Sequence, residues 1–247
     1  MKLRIATRRS ALALVQSNWV AAQLKRFEPG LAVELVEVVT TGDRIQDVSL
    51  AAIGGKGLFV SEVEDVLLRG EAELAVHSLK DVPAELAPGL VLGAIPERED
   101  PSDVLVTADG AALDDLEAGA RVGTNSLRRT LQLRRQRNDL QYAMLRGNVD
   151  TRLRKLATGE YRAIVLAAAG LRRLSLWDRP LWPIPVDISV PAVGQGELAV
   201  EARADDATQV AVVRKPTVQE PRAPRVPTVA IAAVGDDVIS DPARDAI

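Results

Sequence analysis

At 247 residues, 47% hydrophobic and 26% charged, the chain has enough apolar surface for one large or two small packed domains, and its composition excludes a fibrous or wholly disordered protein. It contains no cysteine, so these residues form neither disulfides nor thiolate metal sites, and its single histidine has no imidazole partner for a shared metal. The net charge of −3 hides an asymmetry: residues 61–117 carry 15 acidic and 3 basic side chains, and residues 121–173 carry 13 basic and 3 acidic, so the second stretch meets an anion, forms a solvated basic surface, or pairs with the first.

In chain order, Leu3–Thr7 reads as a short buried strand. Ser10–Phe27 follows as a helix, with Leu12, Val15, Trp19, Ala22 and Leu24 expected near one face. Ala32–Thr40 alternates apolar and acidic residues as a strand does. Ile53–Phe59, with Gly54, Gly55 and Gly57, reads as a flexible loop. Ser61-Glu62-Val63-Glu64 is a predicted capping box opening a helix to about Arg69. Leu74–His77, Val91–Ile95 and Val104–Thr107 are predicted strands, the last two separated by the polar segment Pro96–Asp103. The pattern then repeats, with strands at Arg121–Gly123, Tyr142–Leu145 and Ala163–Ala168 and helices at Ser126–Arg137 and Val149–Ala157. Such alternation predicts an α/β fold with largely parallel sheets, in two blocks with a cleft between them. From Thr208 onward five prolines interrupt any helical period, so residues 208–247 are expected to be an extended or disordered tail. No apolar run suits a bilayer span and the opening MKLRIATRRS lacks a signal-peptide core, so a cytoplasmic location is expected.

Two segments can carry chemistry. In Ala75-Val76-His77-Ser78-Leu79-Lys80-Asp81-Val82-Pro83, apolar residues give way to polar ones where a parallel strand reaches its carboxyl edge, the usual ligand position in open α/β sheets. Lys80 can bind a carboxylate and Asp81 can stabilise a cation; His77, alone, reads as structural. In Thr124-Asn125-Ser126-Leu127-Arg128-Arg129, a polar cluster caps a helix whose first turn carries two arginines. Cations there oppose the helix dipole by about 0.3–1 kcal/mol each, so they are either solvated or placed there for an anion. Arg146 and Arg152 flank the next strand end, and Arg8 and Arg173 extend the set. Gly54-Gly55-Lys56-Gly57 lacks the spacing of a nucleotide phosphate loop and reads instead as a mobile lid carrying Lys56. Aromatic residues are only 3% of the chain, which argues against nucleic acid. The residues alone therefore describe a two-domain binder of a small polyanion.

Several stretches, in order, also resemble one family. They are Arg4-Ile5-Ala6-Thr7-Arg8-Arg9-Ser10, Gly54-Gly55-Lys56-Gly57-Leu58-Phe59, Val76 to Pro83, Glu97-Arg98-Glu99-Asp100-Pro101, Val122 to Arg129, Leu145-Arg146-Gly147-Asn148-Val149 and Pro191-Ala192-Val193-Gly194-Gln195-Gly196. From about Leu3 to Asp206 the chain is similar to porphobilinogen deaminases (hydroxymethylbilane synthases). The resemblance implies two type II periplasmic-binding-protein-like domains: residues 1–96 with a return segment near 196–207, and residues 101–191. It implies a monomer that joins four porphobilinogen molecules head to tail into hydroxymethylbilane, primed by a dipyrromethane cofactor, with no metal.

The resemblance further implies Asp81 as the catalytic carboxylate. It implies Arg8, Ser10, Lys56, Ser78, Lys80, Thr124, Ser126, Arg128, Arg129, Arg146, Arg152, Arg173 and Gln195 as contacts for the cofactor or for substrate carboxylates. Asn125 stands where the family commonly has serine. The family's third α+β domain holds the cofactor through a cysteine thioether. No cysteine occurs here and the tail matches no part of that domain, so the third domain is expected to be missing or replaced, through a frameshift or an altered gene end. A non-catalytic binder of a pyrrole-like polycarboxylate is the alternative expectation.

Overall fold

The computed structural model describes residues 2–41 and 60–205. The expected glycine-rich loop with Lys56, and the expected tail, lie outside the described residues.

Among the described residues there are two five-stranded sheets. The first has the order β2-β1-β3-β10-β4, from β1 (Lys2–Arg8), β2 (Ala32–Val38), β3 (Leu74–Ser78), β4 (Leu90–Ala94) and β10 (Leu198–Arg203). The second has the order β7-β6-β8-β5-β9, from β5 (Asp103–Thr107), β6 (Arg121–Gly123), β7 (Gln141–Ala143), β8 (Ala163–Ala167) and β9 (Leu181–Ile184). The helices are α1 (Ala11–Phe27), α2 (Ser61–Leu68), α3 (Leu127–Gln136), α4 (Val149–Ala157) and α5 (Ala168–Arg173), with a 3-10 turn at Leu79–Asp81.

The two-residue period of the strands puts helices on both faces of each sheet. In the first, Leu3, Ile5, Leu74 and Val76 face α1, where Val20, Ala21 and Leu24 meet them. Ala6 and Ala75 point the other way, onto Val63, Val66 and Leu67 of α2. In the second, Leu105, Val122, Ala163 and Val165 pack with Leu133 of α3. Val104, Val106, Ile164 and Leu166 pack with Leu153 of α4 and Leu171 of α5. Each fully buried leucine or isoleucine contributes roughly 1.5–3 kcal/mol, which suffices for sheets almost without aromatics.

The structure departs from the expectations in four places. The sheets are mixed rather than largely parallel. β1 pairs in parallel with β2 and β3, and β6 with β7 and β8, but β10 runs antiparallel between β3 and β4, and β5 antiparallel between β8 and β9. The buried face of α1 is turned from the expected one: Trp19 is exposed, while polar Gln16 and Ser17 face inward. Polar side chains are tolerated there because Ser17 Oγ donates to Thr7 Oγ1 at 2.7 Å and Gln16 Nε2 to Ser78 Oγ at 3.0 Å. Ser61 does not cap α2. The N-cap is Val60, and Glu62 and Glu64 instead accept from the backbone N–H groups of Thr41 (2.6 Å) and Ala87 (3.2 Å). Strands β9 and β10 and helix α5 were not among the elements read from periodicity.

Chain segments 95–102 and 185–197 cross between the sheets. They are clasped to each other: Glu99 N–H donates to Gly196 O at 3.1 Å, and Arg98 Nε to Gln195 O at 2.8 Å. Gly196 has φ +91°, and a Cβ there would lie 2.3 Å from Glu99 O, so only glycine allows the approach.

Candidate active site

The parallel strands of both sheets end toward one cleft. Past β1 come Arg8 and the N-cap Ser10; past β3, Ser78, Lys80 and Asp81; past β6, Asn125 and Ser126; past β7, Arg146 to Val149; past β8, Ala169, Gly170, Leu171 and Arg173. Gln195 closes the floor from the return crossover. The cavity is about 600 Å³, within the usual range for a small-molecule site. Helices α1, α3 and α4 begin at its wall. Their N-cap side chains Ser10, Ser126 and Asn148 accept from Ala13, Arg129 and Thr151 backbone N–H groups, and the positive ends of these helices add to the field in the cleft.

Of the residues singled out from the sequence, Arg8, Ser10, Ser78, Lys80, Asp81, Ser126, Arg128, Arg129, Arg146, Arg152, Arg173 and Gln195 all line this cavity. Thr124 does not. It is buried, and its Oγ1 accepts from Ser126 N–H at 3.2 Å, so it shapes the turn that presents Ser126. Lys56 lies outside the described residues. Seven arginines and one lysine face the cavity against two carboxylates, Asp81 and Glu197.

The five of these cations that follow β6, β7 and β8 fall into two groups. Arg128 and Arg129 are held by Asp103, which is fully buried. Arg129 Nε and Nη2 donate to Asp103 Oδ1 at 2.9 and 2.7 Å, and Arg128 Nη2 to Oδ2 at 2.8 Å; Arg128 also donates to Val190 O. By contrast, Arg152 and Arg173 have backbone partners, Gly147 O and Gly196 O, each at 2.7 Å, and no carboxylate partner among the described residues. Arg146 is buried and its Nη1 has no hydrogen-bond partner among the described residues.

Thus part of the charge asymmetry is settled by pairing between the two stretches. Asp103 pairs with Arg128 and Arg129, Asp109 and Glu117 with Arg162, and Glu99 and Asp100 with Arg172. Of the remaining cations in residues 121–173, Arg146, Arg152 and Arg173 face the cleft.

Crowding shows in the titration of these groups. The Lys80 side chain opens onto the cleft, yet the protein around it, aided by Arg129 and Arg128 and opposed by Asp81, lowers its pKa to about 8. Burial, with Arg129 and Arg146 nearby, brings Arg152 down to about 10, Asp81 again opposing. Burial also lowers Arg173. An incoming carboxylate relieves this mutual repulsion, so the site is electrostatically matched to an anion. Burial pushes the Asp103 carboxyl up, but Arg129 and Arg128, with Gln195, outweigh it and hold it below the usual carboxylate range. Asp81 is exposed to the cleft and has no hydrogen bond or ion pair among the described residues.

Sequence reasoning missed Asp103, Ser189 and Gln16. Asp103 carried one signal, an acidic residue directly opening an apolar strand, Asp103-Val104-Leu105-Val106. His77 takes the structural role expected of it: buried in β3, its Nε2 lies 3.1 Å from Glu201 Oε2 on β10. Among the described residues no group of His, Asp and Glu is arranged to hold a metal, and no helix is long and apolar enough to cross a membrane.

Residues 3–211 match the family model described as porphobilinogen deaminase, dipyromethane cofactor binding domain. The porphobilinogen deaminase of Brevibacillus brevis is 56% identical over 214 residues, covering 87% of this chain and 69% of the relative. That of Syntrophotalea carbinolica is 55% identical over 204 residues, covering 83% and 65%. The chain thus spans about two thirds of the length of the curated relatives it matches. Among solved structures, the VFT2 domain of Bordetella pertussis BvgS superposes with a TM-score of 0.51 at 17% identity, covering 89% of this chain and 88% of that one. The probable amino-acid ABC transporter extracellular-binding protein ytmK of Bacillus subtilis gives 0.55 at 10%, covering 87% and 90%. At such identities the likeness concerns the fold alone: two mixed α/β sheets about a cleft, in the manner of type II periplasmic binding proteins.

Proposed function

The chain belongs to the porphobilinogen deaminase family, and from that premise we propose that its cleft binds porphobilinogen, and pyrrole chains built from it, by their carboxylates, for the formation of hydroxymethylbilane. The observation that carries this reading is the excess, among the described residues, of eight cations over two carboxylates around one cavity, with Arg146 Nη1 unpartnered there. In this reading residues 1–96 with 196–207 form one domain and residues 101–191 the other, and ligands lie between them.

Porphobilinogen carries an acetate and a propionate on each ring. Guanidinium forks pair with such groups through two parallel N–H donors, which fixes orientation as well as charge. Arg146, Arg152 and Arg173, lacking carboxylate partners among the described residues, are the first to take them; Arg8, Ser10, Ser78, Ser126 and Gln195 add polar contacts. Loss of ammonia from porphobilinogen leaves a cationic azafulvene. In this reading Asp81, exposed to the cleft beside Lys80 and Arg152, stabilises that cation and accepts from pyrrole N–H groups.

The donor set suits the carboxylates of a dipyrromethane as well as those of porphobilinogen, and the unpartnered Arg146 Nη1 fits one of them. When bound, that group would supply the primer for chain growth. None of the 247 residues is a cysteine, so in this reading the anchoring thioether is not made by these residues. That absence favours a second reading, in which the polypeptide grips pyrrole carboxylates without polymerising them. A cytoplasmic monomer completes the reading, and sedimentation of the purified chain checks its mass.

Incubation with porphobilinogen, followed by acid oxidation and a uroporphyrin assay, tests the function; Ehrlich's reagent and intact mass test for a covalent pyrrole. Saturable binding with no mass increment and little turnover is expected. Turnover with a covalent adduct would contradict the account of anchoring, and absence of binding would contradict the account of the cleft.

A further inference from the structure

Asp103 opens β5 at the seam between the two sheets, fully buried and without surface on the cavity. Its two oxygens divide their partners. Oδ1 accepts from Arg129 Nε and Nη2 at 2.9 and 2.7 Å and from Gln195 Nε2 at 2.9 Å. Oδ2 accepts from Arg128 Nη2 and Ser189 Oγ, both at 2.8 Å. Gln195 Oε1 in turn accepts from Lys80 Nζ at 3.3 Å. One carboxylate therefore joins two cleft guanidiniums on α3 to two side chains of the return crossover, one of which reaches the cleft lysine beyond β3.

Burying a carboxylate is costly, and stability alone is often served as well by an apolar pair. What an apolar pair cannot do is hold two planar cation forks at fixed angles beside a cavity. Two cations on one carboxylate also leave a surplus positive charge at the start of α3. We infer that Asp103 is a positioning residue: it aims Arg128 and Arg129 at the cleft and couples them through Gln195 to Lys80, so that a pyrrole carboxylate meets a preset fork rather than mobile side chains. The inference rests on the reading of the cleft as a site for pyrrole carboxylates.

The sign of one effect separates aim from charge. Asp103→Asn preserves shape and removes a negative charge. On Coulombic grounds alone the cleft would then bind an anion more tightly; loss of aim predicts weaker binding. Porphobilinogen is titrated into the purified chain and the variant, and the Nε–H signals of 15N-labelled arginines are compared. Binding is expected to weaken roughly tenfold, the equivalent of one well-aimed charged hydrogen bond, with faster exchange of the Arg129 Nε proton. Unchanged or tighter binding by the folded variant overturns the inference.

Should Asp103→Asn not fold, Ser189→Ala decides, because it strips one donor from Oδ2 and the acceptor that Ser189 Oγ offers Arg128 Nη1 at 3.3 Å, and alters no charge. Binding roughly threefold weaker supports the inference, as expected for one neutral hydrogen bond, and unchanged binding overturns it. Failure of the unaltered chain to bind porphobilinogen would sink the reading of the cleft. The Nε exchange comparison would still decide whether Asp103 holds the guanidinium.

Discussion

The ammonium of Lys80 lies 3.3 Å from Gln195 Oε1, so a cation of one sheet rests on the crossover that returns from the other. Its pKa of about 8 reflects the packed protein and the arginines around it. Between about pH 8 and its ordinary value the folded chain binds fewer protons here than the unfolded chain, so this group's contribution to stability rises as pH rises through that window. A bound carboxylate favours the charged form. Porphobilinogen binding at pH 8 should therefore be accompanied by proton uptake and should weaken at higher pH. Calorimetry in two buffers of different ionisation enthalpy measures this; equal heats would remove Lys80 from the grip.

Arg146 should separate function from stability. It is buried with Nη1 unpartnered, a cost to the fold. Arg146→Leu is expected to raise stability by about 1 kcal/mol while weakening porphobilinogen binding about tenfold. Denaturant titration beside ligand titration gives both numbers, and a fall in stability would show that the side chain has partners on the protein.

Asp81→Ala, placed in a form of the protein that turns over porphobilinogen, should lower kcat by about a hundredfold or more, because the developing cation loses its carboxylate. KM should change less, since Asp81 does not pair with substrate carboxylates. Steady-state kinetics on the variant decides, and a kcat within a few-fold of the parent would strip Asp81 of its assigned role.

The crossover clasp should be intolerant of a single methyl group. Gly196→Ala sets a Cβ against Glu99 O and strains a left-handed backbone, and is expected to cost about 2–3 kcal/mol by urea titration. His77→Ala should cost about 2 kcal/mol, by leaving Glu201 buried without its imidazole, and should leave porphobilinogen affinity unchanged.

Much of this arrangement was legible in the chain because strand ends announce themselves: apolar runs stop at Arg8, Ser78, Gly123 and Ala167, and the cations follow. The helix expected at Val149–Ala157 begins and ends where the structure has it, since Asn148 caps it. What escaped notice depends on partners distant in sequence. Gln16 and Ser17 turn inward only because Ser78 and Thr7 receive them. Ser61 does not cap because the helix is capped one residue earlier, at Val60, and Glu64, the other member of the expected box, accepts from distant Ala87 N–H. Asp103 looked like one more acidic residue in an acidic stretch. Its role depends on Arg128, Arg129, Ser189 and Gln195, which lie 25 to 92 residues away. The mixed sheets arise in the same way: β10, which follows the second sheet in the chain, inserts antiparallel between β3 and β4, and β5 lies antiparallel between β8 and β9.

The central claim is that the cleft is charged to receive a carboxylate-bearing pyrrole. Titrating porphobilinogen into the purified chain at low and at physiological salt tests it most directly. One saturable site is expected, with an affinity that falls as salt rises. No saturable site, or an affinity indifferent to salt, would contradict it.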